Sequence, residues 1–239
     1  MKYLGSKRRL VNEILPIMFS YLKLGMSFVD AFCGGCSIIQ HVPKSVNRIA
    51  NDNNRYLIAM WKQLTNTTWQ PIQTIPRELY DDVKKTWRND DGRYDDATIG
   101  WVGFMASRLG RFFDSGYSSH SCNGRDYIAE SIRNISRQID DLRGVQWQTG
   151  SYYSIKIPPQ SLIYCDPPYR GTTTYTTSHN FDYTHFYDWV RKMKQDGHTV
   201  FVSEYSMPSD FTCVWSKTIT NSVSTKKTYL VTERLFTLL

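Results

Sequence analysis

Long apolar runs are missing from this chain: none approaches the roughly 20 residues that a membrane-spanning helix requires. The opening residues, Met1 to Arg9, are basic, and Leu10 to Tyr21 is broken by Asn12, Glu13 and Pro16, so the apolar centre of a signal peptide is missing too. A cytoplasmic location is expected on both grounds. Cysteine is sparse, with Cys33, Cys36, Cys122, Cys165 and Cys213, an odd set at irregular spacing that argues against a disulfide framework. Cys33-Gly34-Gly35-Cys36 matches C-x-x-C, but no second pair and no His-x₃₋₅-His accompanies it, so zinc and redox readings lack their other half. The five histidines (His41, His120, His179, His185 and His198) fall into no metal-ligand spacing and read as surface or core residues. No G-x-G-x-x-G is present, so a bound pyrophosphate is not indicated. Internal repeats and low-complexity tracts are absent as well.

What the chain does have is enough apolar material, 41% of 239 residues, for one large core. Basic groups exceed acidic ones, 29 to 22, for a net charge of +7. The excess gathers at Lys2, Lys7, Arg8, Arg9 and Lys23, and again at Lys217, Lys226, Lys227 and Arg234. That balance favours a polyanionic partner such as nucleic acid without requiring one.

The order of elements is α/β. Strands are expected at Ser27 to Phe32 and at Asn47 to Ala50, with Gly34-Gly35 as a tight turn and a short helix from about Ser37 to His41. Helical spacing follows at Tyr56 to Leu64. Residues 66–148 change character: a helix fits Thr98 to Leu109, a long loop or hairpin fits Arg111 to Arg125, and Ile128, Ile132, Ile135, Ile139 and Leu142 mark an amphipathic helix over Tyr127 to Leu142. The α/β pattern then resumes. A buried strand is expected at 161–165, a Thr-rich loop at Arg170 to Asn180, a helix at Tyr183 to Lys194 and a strand at His198 to Ser203. An antiparallel pair, Trp215 to Ile219 and Thr228 to Phe236, closes the chain, turning near Ser224-Thr225-Lys226. This layout is a doubly wound sheet, residues 1–65 and 149–239, interrupted by a mostly helical insertion at 66–148.

Asp166-Pro167-Pro168-Tyr169 ends the buried strand. Prolines donate nothing to a ladder, so the sheet stops there, and their fixed φ makes a stiff corner. The corner holds a carboxylate, backbone carbonyls and a flat ring, a set suited to gripping a planar amine. Taken alone, those four residues read equally well as a proline-rich turn carrying an acid. At the carboxyl end of the first strand stands Asp30-Ala31-Phe32-Cys33-Gly34-Gly35-Cys36-Ser37, where open α/β sheets bind ligands and glycine lets backbone amides approach closely. Asp52, at the end of the second strand, is placed to take both hydroxyls of a ribose, so a nucleoside without a diphosphate is the ligand these residues suit.

In this order the motifs resemble those of the Dam-like DNA adenine N6-methyltransferases, S-adenosylmethionine-dependent enzymes of the α order. The family's aromatic-x-Gly-x-Lys segment is matched by Tyr3-Leu4-Gly5-Ser6-Lys7, its F-x-G-x-x-S loop by Phe32 to Ser37, its strand-end acid by Asp52 and its D-P-P-Y by 166–169. A target-recognition insertion stands between them, and is the least matched part. Cys36 replaces the usual small residue, and Cys33 and Cys36 become loop packing residues. The resemblance implies a Rossmann-like methyltransferase sheet with S-adenosylmethionine bound by Tyr3, Lys7, Asp30, Phe32, Gly34, Gly35, Ser37, Asp52 and Asp166, with Tyr152 flanking the cofactor's adenine. It implies that Asp166 and the Pro167 carbonyl accept hydrogen bonds from the target N6, that Tyr169 stacks on the everted base, and that neither a metal nor a covalent intermediate is called for. Double-stranded DNA is the implied partner of a monomeric enzyme of the restriction-modification kind, with Arg111, Asn123 and Arg125 contacting it. Helix spacing by itself instead pairs Arg133 and Arg137 with Glu130 and Asp140. Two alternatives stand beside this: a cytosine-N4 methyltransferase, which usually carries Ser before Pro-Pro, and a silent DNA-binding module of the same fold. An RNA substrate also stays open.

Overall fold

The structure, a computed structural model, describes residues 1–3, 5–66, 68–118, 124–170, 181–224 and 227–239. Five parallel strands form its centre: β1 (Ser27–Asp30), β2 (Asn47–Asp52), β3 (Gln146–Thr149), β4 (Leu162–Cys165) and β5 (Thr199–Glu204). A hairpin of β6 (Thr212–Ser224) and β7 (Lys227–Thr237) completes the sheet, β7 running antiparallel to β5. The strand order is β3-β2-β1-β4-β5-β7-β6.

Both faces of this sheet are covered, as continuous apolar strands require. Alternate residues go to opposite sides. Phe28, Leu162, Tyr164 and Phe201 join one apolar cluster, whereas Val29, Ile163, Cys165, Val200 and Val202 join another. The first cluster also takes in α1 (Val11–Phe19), α2 (Arg55–Leu64), α3 (Arg77–Asn89), α4 (Asp96–Met105) and α5 (Tyr127–Leu142). The second is closed by Phe186, Trp189 and Val190 of α6 (Tyr183–Gln195). The doubly wound α/β class expected from the sequence is therefore the fold observed.

Side-chain caps place the helix starts. Asn54, Asp95, Asp126 and Asp182 each accept from backbone amides of the first turn of α2, α4, α5 and α6. Between α2 and α4 the approach is so close that a Cβ on Gly100 would stand 2.1 Å from the Tyr56 carbonyl oxygen.

Several expectations need correction. The helix expected at Ser37 to His41 is only a 3-10 turn, Ile39–His41, because Cys36 sits at φ +56 and Pro43 follows closely. The helix expected to reach Leu109 ends at Met105, since Leu109 adopts a left-handed φ of +58. The tail strands are longer than 215–219 and 228–236. Three elements were not anticipated: α1, which carries Pro16 in its interior, the highly charged α3, and β3. Strand β3 begins at Gln146 and pairs with β2, so it straddles the expected limit of the insertion at 148/149. The Thr-rich loop at 171–180, His120, Cys122, His179 and the turn at 225–226 lie outside the described residues.

Candidate functional site

The carboxyl ends of β1, β2 and β4 and the N-terminal segment converge on one edge of the sheet. After β1 the chain turns at residues 33–36, where the Cys36 amide donates to the Cys33 carbonyl at 2.7 Å and the Cys33 amide to the Asn51 carbonyl at 2.8 Å. The Gly34 amide donates to Oδ2 of Asp52 at 3.0 Å, and the Asn54 amide to Oδ1 of the same carboxylate at 2.9 Å. Each Asp52 oxygen keeps further lone-pair capacity, so these amides orient the group without exhausting it. Glycine is required twice here. A Cβ on Gly34 or on Gly35 would lie 2.7 Å from Tyr3, from its ring at Gly34 and from its own Cβ at Gly35. The Tyr3 side chain therefore packs directly on the turn, and Nε1 of buried Trp61 donates to the Gly34 carbonyl from the other direction, 3.1 Å away.

Ser37 holds the N-terminal segment, its Oγ accepting from the Lys7 amide at 3.2 Å. That places Lys7, only 5% exposed, across the gap to β4. Its ammonium meets Oδ1 of Asp166 at 2.7 Å, donates to the Gly5 carbonyl at 3.2 Å and stands 4.6 Å above the centre of the Tyr169 ring. Pro167 and Pro168 separate that acid from that ring, and the Pro168 carbonyl accepts from the Tyr183 hydroxyl at 3.0 Å. Tyr169 is buried, its hydroxyl donating to Oε2 of Glu233 at 2.8 Å and its ring meeting Tyr205 edge-on at 4.6 Å. Behind the turn, Phe32 stacks on Tyr152 with ring centres 5.5 Å apart. The Tyr152 hydroxyl lies 2.6 Å from Nδ1 of His185, and burial pushes its pKa up to about 12.

Acidity dominates this edge. Burial raises the pKa of Asp30 well above the ordinary carboxylate value, and the charges of Asp166 and Asp52 raise it further. Oδ1 of Asp30 is buried with no hydrogen-bond partner among the described residues. Burial also raises Asp52, against the pull of the Asn54 and Gly34 amides, and raises Asp166, against the opposing pull of the Lys7 charge. A cleft with three carboxyl groups around one ammonium, and one carboxyl oxygen unsatisfied, fits a ligand bearing ammonium and sulfonium charges.

Glu204, at the end of β5, is an addition that sequence reading missed. It is 1% exposed, accepts from the Tyr205 amide at 2.7 Å and the Arg170 amide at 3.3 Å, and burial pushes its pKa from 4.5 up to about 7. A raised carboxyl pKa in the fold means stability that is complete below about pH 4.5 and is lost as pH climbs through about 7. Glu204→Gln removes the ionisation and keeps an acceptor oxygen for one of the two amides, since Tyr205 uses Oε1 and Arg170 uses Oε2. Its unfolding free energy relative to the parent's should rise between pH 5 and pH 8, by at most roughly 3 kcal/mol. A pH-independent difference between the two proteins would contradict this account.

The residues expected to touch DNA have these surroundings. Nε of Arg111 is buried without a partner among the described residues. Arg125 meets Glu130 at 2.6 Å and lies over the Tyr127 ring. Asn123 lies outside the described residues. Phe112 and Phe113 are buried, packed on Tyr56, Tyr80, Trp87 and Phe104, so their rings belong to the core rather than to a surface. The helix pairs expected for Arg133 and Arg137 are replaced: Glu130 takes Lys2 and Arg125, and Asp140 takes Arg143.

Comparison with known proteins supports S-adenosylmethionine-dependent methylation as the chemistry of this edge. Residues 3–99 match the family model described as D12 class N6 adenine-specific DNA methyltransferase, which bears out the resemblance to the Dam-like enzymes. The matched stretch holds Tyr3, Lys7, the glycine turn and Asp52, and ends before Asp166. S-adenosylmethionine is accordingly the cofactor. Among solved structures, the chain is similar to the Haemophilus influenzae protein HI0767, described as a methylase, at 9% identity over 97% of this chain and 89% of that one, with a TM-score of 0.37. It is similar to SMU.472, described as a methyltransferase and solved with SAH, at 12% identity over 99% and 54%, with a TM-score of 0.40. It is similar to yhhF of Escherichia coli, described as a methyltransferase, at 9% identity over 98% and 84%, with a TM-score of 0.34.

Proposed function

We propose that this protein transfers a methyl group from S-adenosylmethionine to N6 of adenine within a short DNA sequence, by everting the base and attacking directly. The observation that carries the reading is Asp166, a half-buried carboxylate at a proline corner, whose present partner is itself an amine cation lying over the adjacent Tyr169 ring. A target amine would find the same two groups, one accepting its N–H and the other under its plane. Asp166 and the Pro167 carbonyl would draw N6 toward tetrahedral geometry, so that its lone pair points at the donor. The bound cofactor supplies an electrophilic methyl on sulfur. The chain's own work is to hold and orient: Asp52 for the ribose, Tyr3 and the glycine turn for the cleft wall, and Asp30 with Lys7 at the methionine end. Phe32, Ser37 and Tyr152 shape the same cleft. Eversion is needed because the base edge is closed inside a duplex, and stacking on an aromatic contributes about 1–3 kcal/mol per base.

Residues 66–148 serve as the target-recognition insertion in this reading, with Arg111, Asn123 and Arg125 meeting DNA, and the enzyme acts as a cytoplasmic monomer. The acid at position 166, rather than Ser, favours adenine over cytosine-N4. The test is direct mapping of N6-methyladenine in DNA from cells expressing the protein, beside cells expressing Asp166→Ala. Recurrent adenine modification in one short sequence, absent from the control, supports the proposal. Modified cytosines, or none, would overturn it.

A further inference from the structure

The hairpin of β6 and β7 does more than finish the sheet. Pairing of β7 with β5 stops at Arg234, opposite Glu204, and from Glu233 back to Lys227 the strand pairs with β6 alone. Glu233 is therefore the first residue of β7 beyond the carboxyl edge of β5, at the level where the corner of Asp166 to Tyr169 leaves β4. Its side chain is buried, 9% exposed, and meets no ion-pair partner among the described residues. Lys217, directly across the hairpin, gives its ammonium to Glu13 instead. The Tyr169 hydroxyl is what satisfies Glu233, at 2.8 Å. Burying a carboxyl group is costly unless hydrogen bonds compensate it, so the chain gains little fold stability from placing one here. The prolines fix the backbone of the corner but leave the tyrosine's side-chain torsions free. The contact on its hydroxyl acts with Tyr205 against its edge and Lys7 over its face to hold one ring orientation.

We propose that Glu233 is a positioning residue of the acceptor corner: from the C-terminal hairpin it anchors the Tyr169 hydroxyl and so sets the ring beside Asp166. The role in transfer rests on the adenine-methylating reading above. The anchoring itself does not. The test compares the parent with Glu233→Ala, Glu233→Gln, Tyr169→Phe and the double variant Glu233→Ala/Tyr169→Phe. Rates are measured with tritiated S-adenosylmethionine and genomic DNA free of N6-methyladenine, and cofactor affinity is measured separately. Glu233→Ala should lower kcat by about tenfold or more, with cofactor affinity unchanged. Tyr169→Phe should do the same, and the double variant should be no worse than the worse single variant. Glu233→Gln, which still accepts from the phenol, should recover most of the rate. In DNA-free protein, the aromatic NMR signal of Tyr169, assigned by its loss in Tyr169→Phe, should move in Glu233→Ala and stay in Glu233→Gln. Parent-like turnover in Glu233→Ala, losses that multiply in the double variant, or an unmoved Tyr169 signal would each overturn the proposal. Should Glu233→Ala not fold, Tyr169→Phe removes the same bond from the other side and carries the same expectation. A parent enzyme that methylates no DNA adenine defeats the functional reading, and the NMR comparison then still decides whether Glu233 holds the ring.

Discussion

Replacing Asp166 with alanine should abolish methyl transfer to DNA by at least about three orders of magnitude while duplex binding persists. The expectation rests on geometry. Asp166 closes β4, whose four residues are all buried, and the two prolines after it remove any freedom to substitute a neighbouring acceptor. Among the described residues nothing else at the corner can take its place: Glu204 faces the Tyr205 and Arg170 amides, and Glu233 is held by Tyr169. Loss of Asp166 also leaves the buried Lys7 ammonium without its ion-pair partner, so thermal stability should fall as well. Asp166→Asn separates these effects, since it keeps the shape and an acceptor oxygen while removing the charge. A single-turnover assay beside a gel-shift titration reads both properties. Transfer near the parent rate in Asp166→Ala would end the acceptor role.

The second large effect is expected at Lys7. Burial pushes the pKa of Asp166 up, and the Lys7 charge is the leading influence that pulls it back. Lys7→Met fills the same space without the charge, so the carboxyl pKa should rise further. An opposite charge at this range ordinarily shifts a carboxyl by about 1–3 units. Transfer that needs the ionised acid should then fade at a higher pH than in the parent. The acid limb of the kcat/KM profile should move up by about one unit or more, while the rate at high pH falls less. Lys7→Arg, which keeps a cation, should leave the limb near its original position. An unshifted limb in Lys7→Met would show that Lys7 does not govern this ionisation.

How far the sequence disclosed this architecture can be judged residue by residue. The helix over 127–142 was legible because five apolar residues repeat at helical spacing, and Asp126 supplies the cap at its start. Strand β4 was legible because it is continuously apolar, the mark of burial on both faces. Strand β3 was not, because Gln146 to Thr149 is a polar, half-exposed edge strand without that mark. Helix α3 buries only Tyr80, Val83 and Thr86 beneath a surface of charge, and sequence reading missed the helical spacing of Leu79, Tyr80, Val83 and Trp87 that was there to be read. The corner at 166–169 and the turn at 33–37 announced themselves through proline and glycine, residues whose backbone demands are local. Glu204 and Glu233 did not. Their significance comes from which strand end they occupy, and strand order is decided by packing across the whole sheet. Lys2 and Arg125, rather than helix neighbours, took Glu130 for the same reason: a tertiary contact displaced a local one.

The hydrogen bond from Trp61 to the Gly34 carbonyl carries a practical consequence. The indole is fully buried, lies nearly parallel to that of Trp147 with ring centres 6.2 Å apart, and is wired to the turn that lines the cleft. Any ligand that tightens or shifts that turn must disturb this pair of fluorophores. The molecule thus contains its own optical gauge of occupancy, readable as a change in intrinsic emission without a dye, a label or an engineered probe.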